Sequence, residues 1–223
     1  MSVDWLLLSR YALLVALCEL IPVPLLDGYV ASRLRRRLTR IQLKRHRVEL
    51  PNAEVAMLAD ATAGGCLGML WSLIVWPFQR LLRILLFVLL INRIVNTFSE
   101  VVHRALLVHE ALEMKVVPGD VVAVRAAMNR AATEVDTGVA DKALFDVLHR
   151  SRRELWRLFR SLLPRTRAEA EEERHDAPVR EGGELPLTDK GEALSRALAD
   201  AVRVPGVQAE LLHTFRRELA EPG

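Results

Sequence analysis

Apolar side chains recur at steps of three and four residues along most of the chain, with polar side chains between them. This spacing places one apolar stripe along an α-helix. It is clearest after Ile91, where steps of four and three alternate through Ile94, Phe98, Val101, Ala105, Val108 and Leu112. No stretch shows the alternating pattern of a half-buried strand. The pattern therefore predicts an all-α fold, a helical bundle.

Prolines, glycines and capping residues divide this pattern into successive helices. Helices are expected at 5–20, 28–48, from about 53, from 91 to the break at 118–119, and at 121–133, 140–163, 189–202 and 205–220. Asp120 is expected to cap the helix that follows it. The stretch 164–187 is charged, contains glycine and proline, and lacks apolar periodicity, which is typical of a linker. We expect a membrane-associated helical core at 1–163, a flexible charged linker at 164–187 and a small C-terminal helical hairpin at 188–220.

The most apolar stretch, from Cys66 to Ile91, is long enough to cross a bilayer if it forms one helix of about 39 Å. Arg80 and Arg83 lie near its centre, where each charge costs roughly 2.5 to 3.5 kcal/mol, and Pro77 would interrupt the helix. We therefore expect a hydrophobic helical hairpin, broken near Pro77, that inserts into the membrane without crossing it. A soluble core helix is the alternative. The residues predicted to insert are Leu70, Trp71, Ile74, Trp76, Phe78, Leu85, Phe87 and Leu90.

Basic residues are concentrated in two of the predicted helices. The helix predicted at 28–48 has no acidic residue between Arg33 and Arg47. The stretch from Arg150 to Arg167, which overlaps the helix predicted at 140–163, contains only one, Glu154. Each also carries an apolar stripe, which in the first helix consists of Val30, Leu34, Leu38 and Ile41. This composition is typical of amphipathic helices on anionic lipid, where each basic residue contributes roughly 1 kcal/mol. The residues predicted to contact the membrane surface are Arg33, Arg35, Arg36, Arg37, Arg40, Lys44, Arg45, Arg47, Arg152, Arg153, Arg157 and Arg160.

The same arginines could instead grip the phosphates of a nucleic acid, or form an ordinary solvated face. The apolar stretch between the two basic helices favours the membrane. Nucleic acid is retained as the alternative partner.

Few residues carry a pattern that suggests chemistry. Asp136-Thr137-Gly138 matches the nucleophile loop of aspartic proteases by letter, but helices are predicted on both sides of it. Glu100 and His103 have the spacing of a di-iron ligand pair, which requires further ligands on other helices. His109 and Glu113 share a helix face, but no third ligand is evident from the sequence. We therefore predict no catalytic, cofactor-binding or metal-binding residues. An enzyme would need a pocket where a Glu or His meets other polar groups.

The order of elements near the N-terminus resembles known bacterial families. An apolar helix precedes Ile21-Pro22-Val23-Pro24-Leu25-Leu26-Asp27, and a basic helix and a second apolar helix follow. This arrangement, over residues 11–91, resembles the EcsC-like proteins and the domain often joined to small GTPases, both membrane-associated bacterial families of unknown function. The resemblance implies membrane association and no known activity.

These observations together predict a non-enzymatic, membrane-associated helical scaffold or regulatory protein. The expected location is the cytoplasmic face of a bacterial inner membrane, since the two cysteines give no disulfide framework and indicate a reducing compartment. The expected partners are an anionic lipid surface and an unidentified protein that binds the C-terminal helices. The alternative is a soluble helical protein that binds nucleic acid through its arginine-rich helices.

Overall fold

The computed structural model describes residues 3–18, 26–60, 85–158 and 189–220, and within these ranges the fold is all-α, as predicted, with no strand. The helices are α1 (Trp5–Cys18), α2 (Leu26–Arg45), α3 (Asn52–Ala59), α4 (Leu85–Glu113), α5 (Val121–Glu134), α6 (Gly138–Arg150), α7 (152–158), α8 (Asp189–Val202) and α9 (Pro205–Ala220).

The first helix, α1, lies in the middle of the bundle. It packs against α2, α4 and α8, and its side chains at 8, 9 and 11–18 are all buried. A helix that is apolar on most of its faces is stable only when it is covered on most sides. At its N-terminal end, Asp4 Oδ1 accepts a hydrogen bond from the Leu7 backbone N–H at 3.0 Å.

The longest helix, α4, joins two clusters of core side chains. All six members of the apolar seam predicted after Ile91 are buried, which confirms that part of the pattern. The first half of α4 packs with α1, α2, α6, α7 and α8. Its second half packs with the end of α2 and with α3, α5 and α9.

The prediction of a single helix at 140–163 is wrong, because the chain forms two helices, α6 and α7, that meet at Ser151. Ser151 has φ −92° and ψ 17°, outside helical values. In the last turn of α6, Arg150 Nε donates to the Asp146 carbonyl at 3.0 Å. Helical hydrogen bonding resumes when the Leu155 N–H donates to the Ser151 carbonyl. The predicted cap of α5 is confirmed, since Asp120 Oδ1 accepts from the Ala123 N–H at 2.9 Å.

Two helices, α2 and α4, end in the same way. After α2, Arg47 has φ 58°, and the Val48 N–H donates back to the Leu43 carbonyl. After α4, Lys115 has φ 58°, and the Val116 N–H donates back to the Ala111 carbonyl. This is the Schellman arrangement, in which a left-handed residue lets the chain satisfy the last carbonyls of a helix.

The two C-terminal helices pack against the rest of the bundle. Leu194 and Leu198 of α8 belong to the first core cluster, and Leu211 and Phe215 of α9 belong to the second. Ion pairs add to these contacts, since Arg10 of α1 lies 2.7 Å from Glu192 of α8. The predicted linker at 164–187 lies outside the described residues, so the division into regions stays a prediction.

None of the helices in the described ranges combines the length and the apolar character needed to span a bilayer. Of the residues predicted to insert, Leu70, Trp71, Ile74, Trp76 and Phe78 lie outside the described residues. Leu85, Phe87 and Leu90 belong to the first turns of α4. Membrane insertion therefore stays a prediction.

Candidate functional site

One side of α2 presents basic side chains in a narrow stripe. Arg33, Arg36, Arg40 and Lys44 fall within about 80° of the helix circumference at 3.6 residues per turn. Arg36, Arg40 and Lys44 are exposed, and Arg33 is half-buried. Tyr29, 56% exposed, lies on the same side one turn before Arg33. We call these five residues, with the exposed Arg47 just after the helix, the basic face.

The opposite side of α2 faces the protein core. Leu38 is buried, and Val30, Leu34 and Ile41 are partly buried against the first core cluster, so the predicted apolar stripe is confirmed. Its side chains are therefore occupied by contacts within the bundle. A helix in this position can meet a charged surface through its basic face, but it has no exposed apolar stripe to insert.

Several of the arginines predicted to contact lipid make hydrogen bonds or ion pairs within the protein. Arg36 donates from Nε and Nη2 to Asp60 Oδ2, at 3.0 and 2.7 Å, and so ties α2 to the end of α3. Arg40 donates to Asn52 Oδ1 at 2.9 Å. Arg45 lies on the other side of α2 and pairs with Asp4 at 2.9 Å. Burial raises the pKa of Asp4, but the Leu7 N–H and the Arg45 guanidinium outweigh it and leave that pKa below its ordinary value.

Arg35 and Arg37 also differ from the exposed members of the predicted set. Arg35 is half-buried and lines a narrow cleft with Leu38, Thr39 and Glu100. Arg37 is half-buried as well. Neither belongs to the basic face defined above, and lipid contact by the predicted arginines stays a prediction.

The second predicted basic surface lies on α7. Arg152, Arg153 and Arg157 are exposed, and Arg157 lies 4.0 Å from Glu154 on the preceding turn. Trp156 on the same short helix is 46% exposed. Arg160 lies outside the described residues. An exposed indole beside several arginines is typical of a surface that meets lipid headgroups.

A pocket of about 220 Å³ lies among α4, α5, α6 and α9, and its largely apolar lining includes the polar side chains of Glu100, His103, Arg104 and Asp141. His103 is 5% exposed, and its Nδ1 lies 3.3 Å from Ser99 Oγ. Within the described part of the chain, His103 Nε2 and Asp141 Oδ1 have no hydrogen-bond partner.

Burial controls the charges around this cavity. It lowers the pKa of His103, and the nearby Asp141 carboxylate opposes the shift without cancelling it. Burial also lowers the pKa of Arg104, whose guanidinium donates to Asn129 Oδ1 at 2.8 Å. Glu100 and His103, which the sequence analysis considered as a possible ligand pair, line the same cavity as Asp141. Asp141 could not be linked to them from the sequence, because no spacing rule relates residues on separate helices.

The structure brings His46 to the pair of His109 and Glu113 that shares a face of α4. Each of the three offers a ligand atom, and these atoms lie within 4.8 Å of one another. Sequence reasoning missed His46, which lies 63 positions before His109 and just beyond the end of α2. Asp136-Thr137-Gly138, by contrast, forms the start of α6, where Asp136 Oδ1 accepts from the Gly138 N–H at 2.8 Å.

Comparison of the chain with protein-family models, with curated proteins and with solved structures finds no match. The resemblance to the EcsC-like and GTPase-linked families therefore stays a prediction.

Proposed function

We propose that this protein is a non-enzymatic scaffold or regulator that binds the anionic surface of a membrane through the basic face of α2. The observation that supports it best is that Arg40 and Lys44 are exposed on one side of α2 and Arg47 is exposed just after the helix. The apolar stripe of the same helix is packed inward. Binding by this helix is therefore electrostatic, and α2 stays folded against α1 when it meets lipid.

The expected strength of this contact is moderate. Each basic residue close to an anionic lipid surface contributes roughly 1 kcal/mol, so Arg40, Lys44 and Arg47 together contribute about 3 kcal/mol before screening. At physiological ionic strength the Debye length is about 8 Å, so only side chains near the headgroups keep this contribution. A second contact, through Trp156 and the arginines of α7, would add to it.

The non-enzymatic part of the proposal is supported by the burial of the polar side chains of α4 that line the pocket. Ser99 and His103 are the nearest approach to a nucleophile and base, but they are 4% and 5% exposed. They also lie one turn apart on α4, and Ser99 Oγ is directed to His103 Nδ1 inside the bundle. Both side chains are largely covered by the protein, which supports a structural role for this pair.

Vesicle co-sedimentation tests the proposal with the full chain. Wild-type protein should bind vesicles of phosphatidylcholine with phosphatidylglycerol and ignore pure phosphatidylcholine. The triple variant Arg40→Gln/Lys44→Gln/Arg47→Gln should bind the anionic vesicles at least about tenfold more weakly. Arg36 is left in place because it holds Asp60.

A matched control removes the same charge elsewhere. Lys142, Lys190 and Arg196 are exposed on α6 and α8, so Lys142→Gln/Lys190→Gln/Arg196→Gln should bind like the wild type. Equal weakening in both variants would mean that net charge, and not the basic face, drives binding. Absence of vesicle binding, together with duplex DNA binding that weakens steeply with salt, would replace the proposal by the nucleic-acid alternative.

A further inference from the structure

Three potential metal ligands meet where α2 and α4 end. His46 directly follows α2, and Glu113 is the last residue of α4, one turn after His109. His46 Nε2 lies 3.3 Å from His109 Nδ1, and His46 Nδ1 lies 3.8 Å from Glu113 Oε1. In the described ranges, this is the group of histidine and carboxylate side chains close enough to share one ion.

The separation of the two imidazole nitrogens matches the geometry of a zinc site. Zinc binds histidine nitrogen at about 2.0 to 2.1 Å, so two nitrogens on a tetrahedral ion lie about 3.3 to 3.4 Å apart. Glu113 Oε1 lies nearest the other ring nitrogen of His46, Nδ1, and one ligand atom from each of the three residues lies within 4.8 Å of the others. Glu113 is exposed at a helix end, so a change of its rotamer toward the two facing nitrogens would complete a set of three protein ligands, and water would fill the fourth position.

The backbone around the cluster also favours a cation. The last carbonyls of a helix carry a partial negative charge, and here the ends of α2 and α4 lie beside the same three side chains. Schellman hydrogen bonds at Arg47 and Lys115 fix both helix ends, so the backbone that carries the three ligands is held in one conformation.

The geometry points to a binding site for a divalent transition-metal ion, of the zinc class, formed by His46, His109 and Glu113. Two imidazoles and one carboxylate with an open position are a donor set that zinc accepts readily. The ion would join the end of α2 to the end of α4, and so fix the C-terminal end of the basic face against the core. This inference does not depend on lipid binding and can be tested without it.

Cobalt spectroscopy on the full-length protein tests the site directly. Co²⁺ added to metal-free protein should give the visible absorption of a tetrahedral or five-coordinate ion at one equivalent, and Zn²⁺ should displace it. His109→Gln and Glu113→Gln should each weaken Co²⁺ binding by at least about tenfold, since even changes outside the ligand shell cost that much at protein metal sites.

The control variants are His149→Gln and His213→Gln, which change exposed histidines on α6 and α9 and should leave the Co²⁺ spectrum unchanged. Circular dichroism of each variant separates a lost ligand from a lost fold. If His109→Gln unfolds, Glu113→Gln decides the question, because its exposed side chain is expendable for packing. Wild-type protein that gives no Co²⁺ absorption would overturn the inference and reduce the His46–His109 contact to a hydrogen bond. Full Co²⁺ binding by a folded His109→Gln or Glu113→Gln variant would also overturn it.

Discussion

Two single residues carry a conformational cost at the ends of the long helices. Arg47 and Lys115 both adopt φ 58°, where a side chain beyond Cα crowds the backbone. For L-residues this left-handed conformation costs roughly 1 to 2 kcal/mol, and glycine avoids most of it. The sequence offers no glycine at either position, so each helix end is stabilised by its hydrogen bonds against this strain.

We expect Lys115→Gly to raise the free energy of unfolding by about 1 kcal/mol, because it removes the strain and keeps the Schellman hydrogen bonds. The matched control is Lys142→Gly, inside α6, which should lower the free energy of unfolding by about 1 kcal/mol. Urea denaturation followed by circular dichroism gives both values. If Lys115→Gly and Lys142→Gly lowered the free energy of unfolding equally, the Lys115 side chain would make a contact that stabilises the fold by more than the backbone strain costs.

His103 is expected to make stability depend on pH. Burial lowers its pKa below the value of about 6.5 that it has in an unfolded chain, so the unfolded state binds the proton more readily. The free energy of unfolding should therefore fall as pH drops below about 6.5, and continue to fall until the folded-state pKa is passed. Asp141 favours the protonation of His103 without cancelling the effect of burial, and Glu100 and Arg104 line the same pocket.

Urea denaturation between pH 7.5 and about 5 measures this dependence. His103→Gln should flatten the pH dependence, whereas His213→Gln, on the exposed side of α9, should follow the wild type. A wild-type curve that does not change in this range would contradict the buried, neutral imidazole.

At the scale of helices, the apolar seam of α4 and the stripe of α2 were predictable because both follow from spacing within one element. The break at Ser151 was not, because the period continues through Leu148 and Leu155, which are both buried. No proline or glycine marks the departure of Ser151 from helical ψ, so the pattern of apolar residues does not record the break. Asp141 and His46 could not be linked to His103 and His109 from the sequence, because they lie on separate parts of the chain that only the fold brings together.

The tie between α2 and α3 provides a prediction for one element. Arg36 and Asp60 are 45% and 26% exposed, so their pair is worth only about 0.5 to 1 kcal/mol after solvent screening. A double-mutant cycle with Arg36→Gln and Asp60→Asn should give a coupling free energy of that size. The same cycle with Arg40→Gln, whose hydrogen bond goes to Asn52, should give a coupling near zero. No coupling in the first cycle would mean that the pair is a surface contact without effect on stability.

For the molecule as a whole, the position of α9 decides how the second core cluster is closed. Phe215 is fully buried in that cluster, and ion pairs such as Arg216–Glu110, at 2.6 Å, hold the helix from outside. We expect Phe215→Ala to lower the free energy of unfolding by about 3 to 5 kcal/mol, as is usual for deletion of a buried aromatic ring. Arg216→Gln, which removes an exposed guanidinium, should cost less than about 1 kcal/mol. Thermal or urea denaturation compares the two.

The helix α4 runs unbroken through both core clusters over about 43 Å. A change that destabilises one cluster should therefore also increase local unfolding in the other. Backbone amides of α1, which lies in the other cluster from Phe215, should then exchange with deuterium faster in Phe215→Ala. The acceleration at α1 should equal that at α5, as for a single cooperative opening. Acceleration confined to α5 and α9 would instead divide the bundle into two foldons that open separately, with α4 fraying between them.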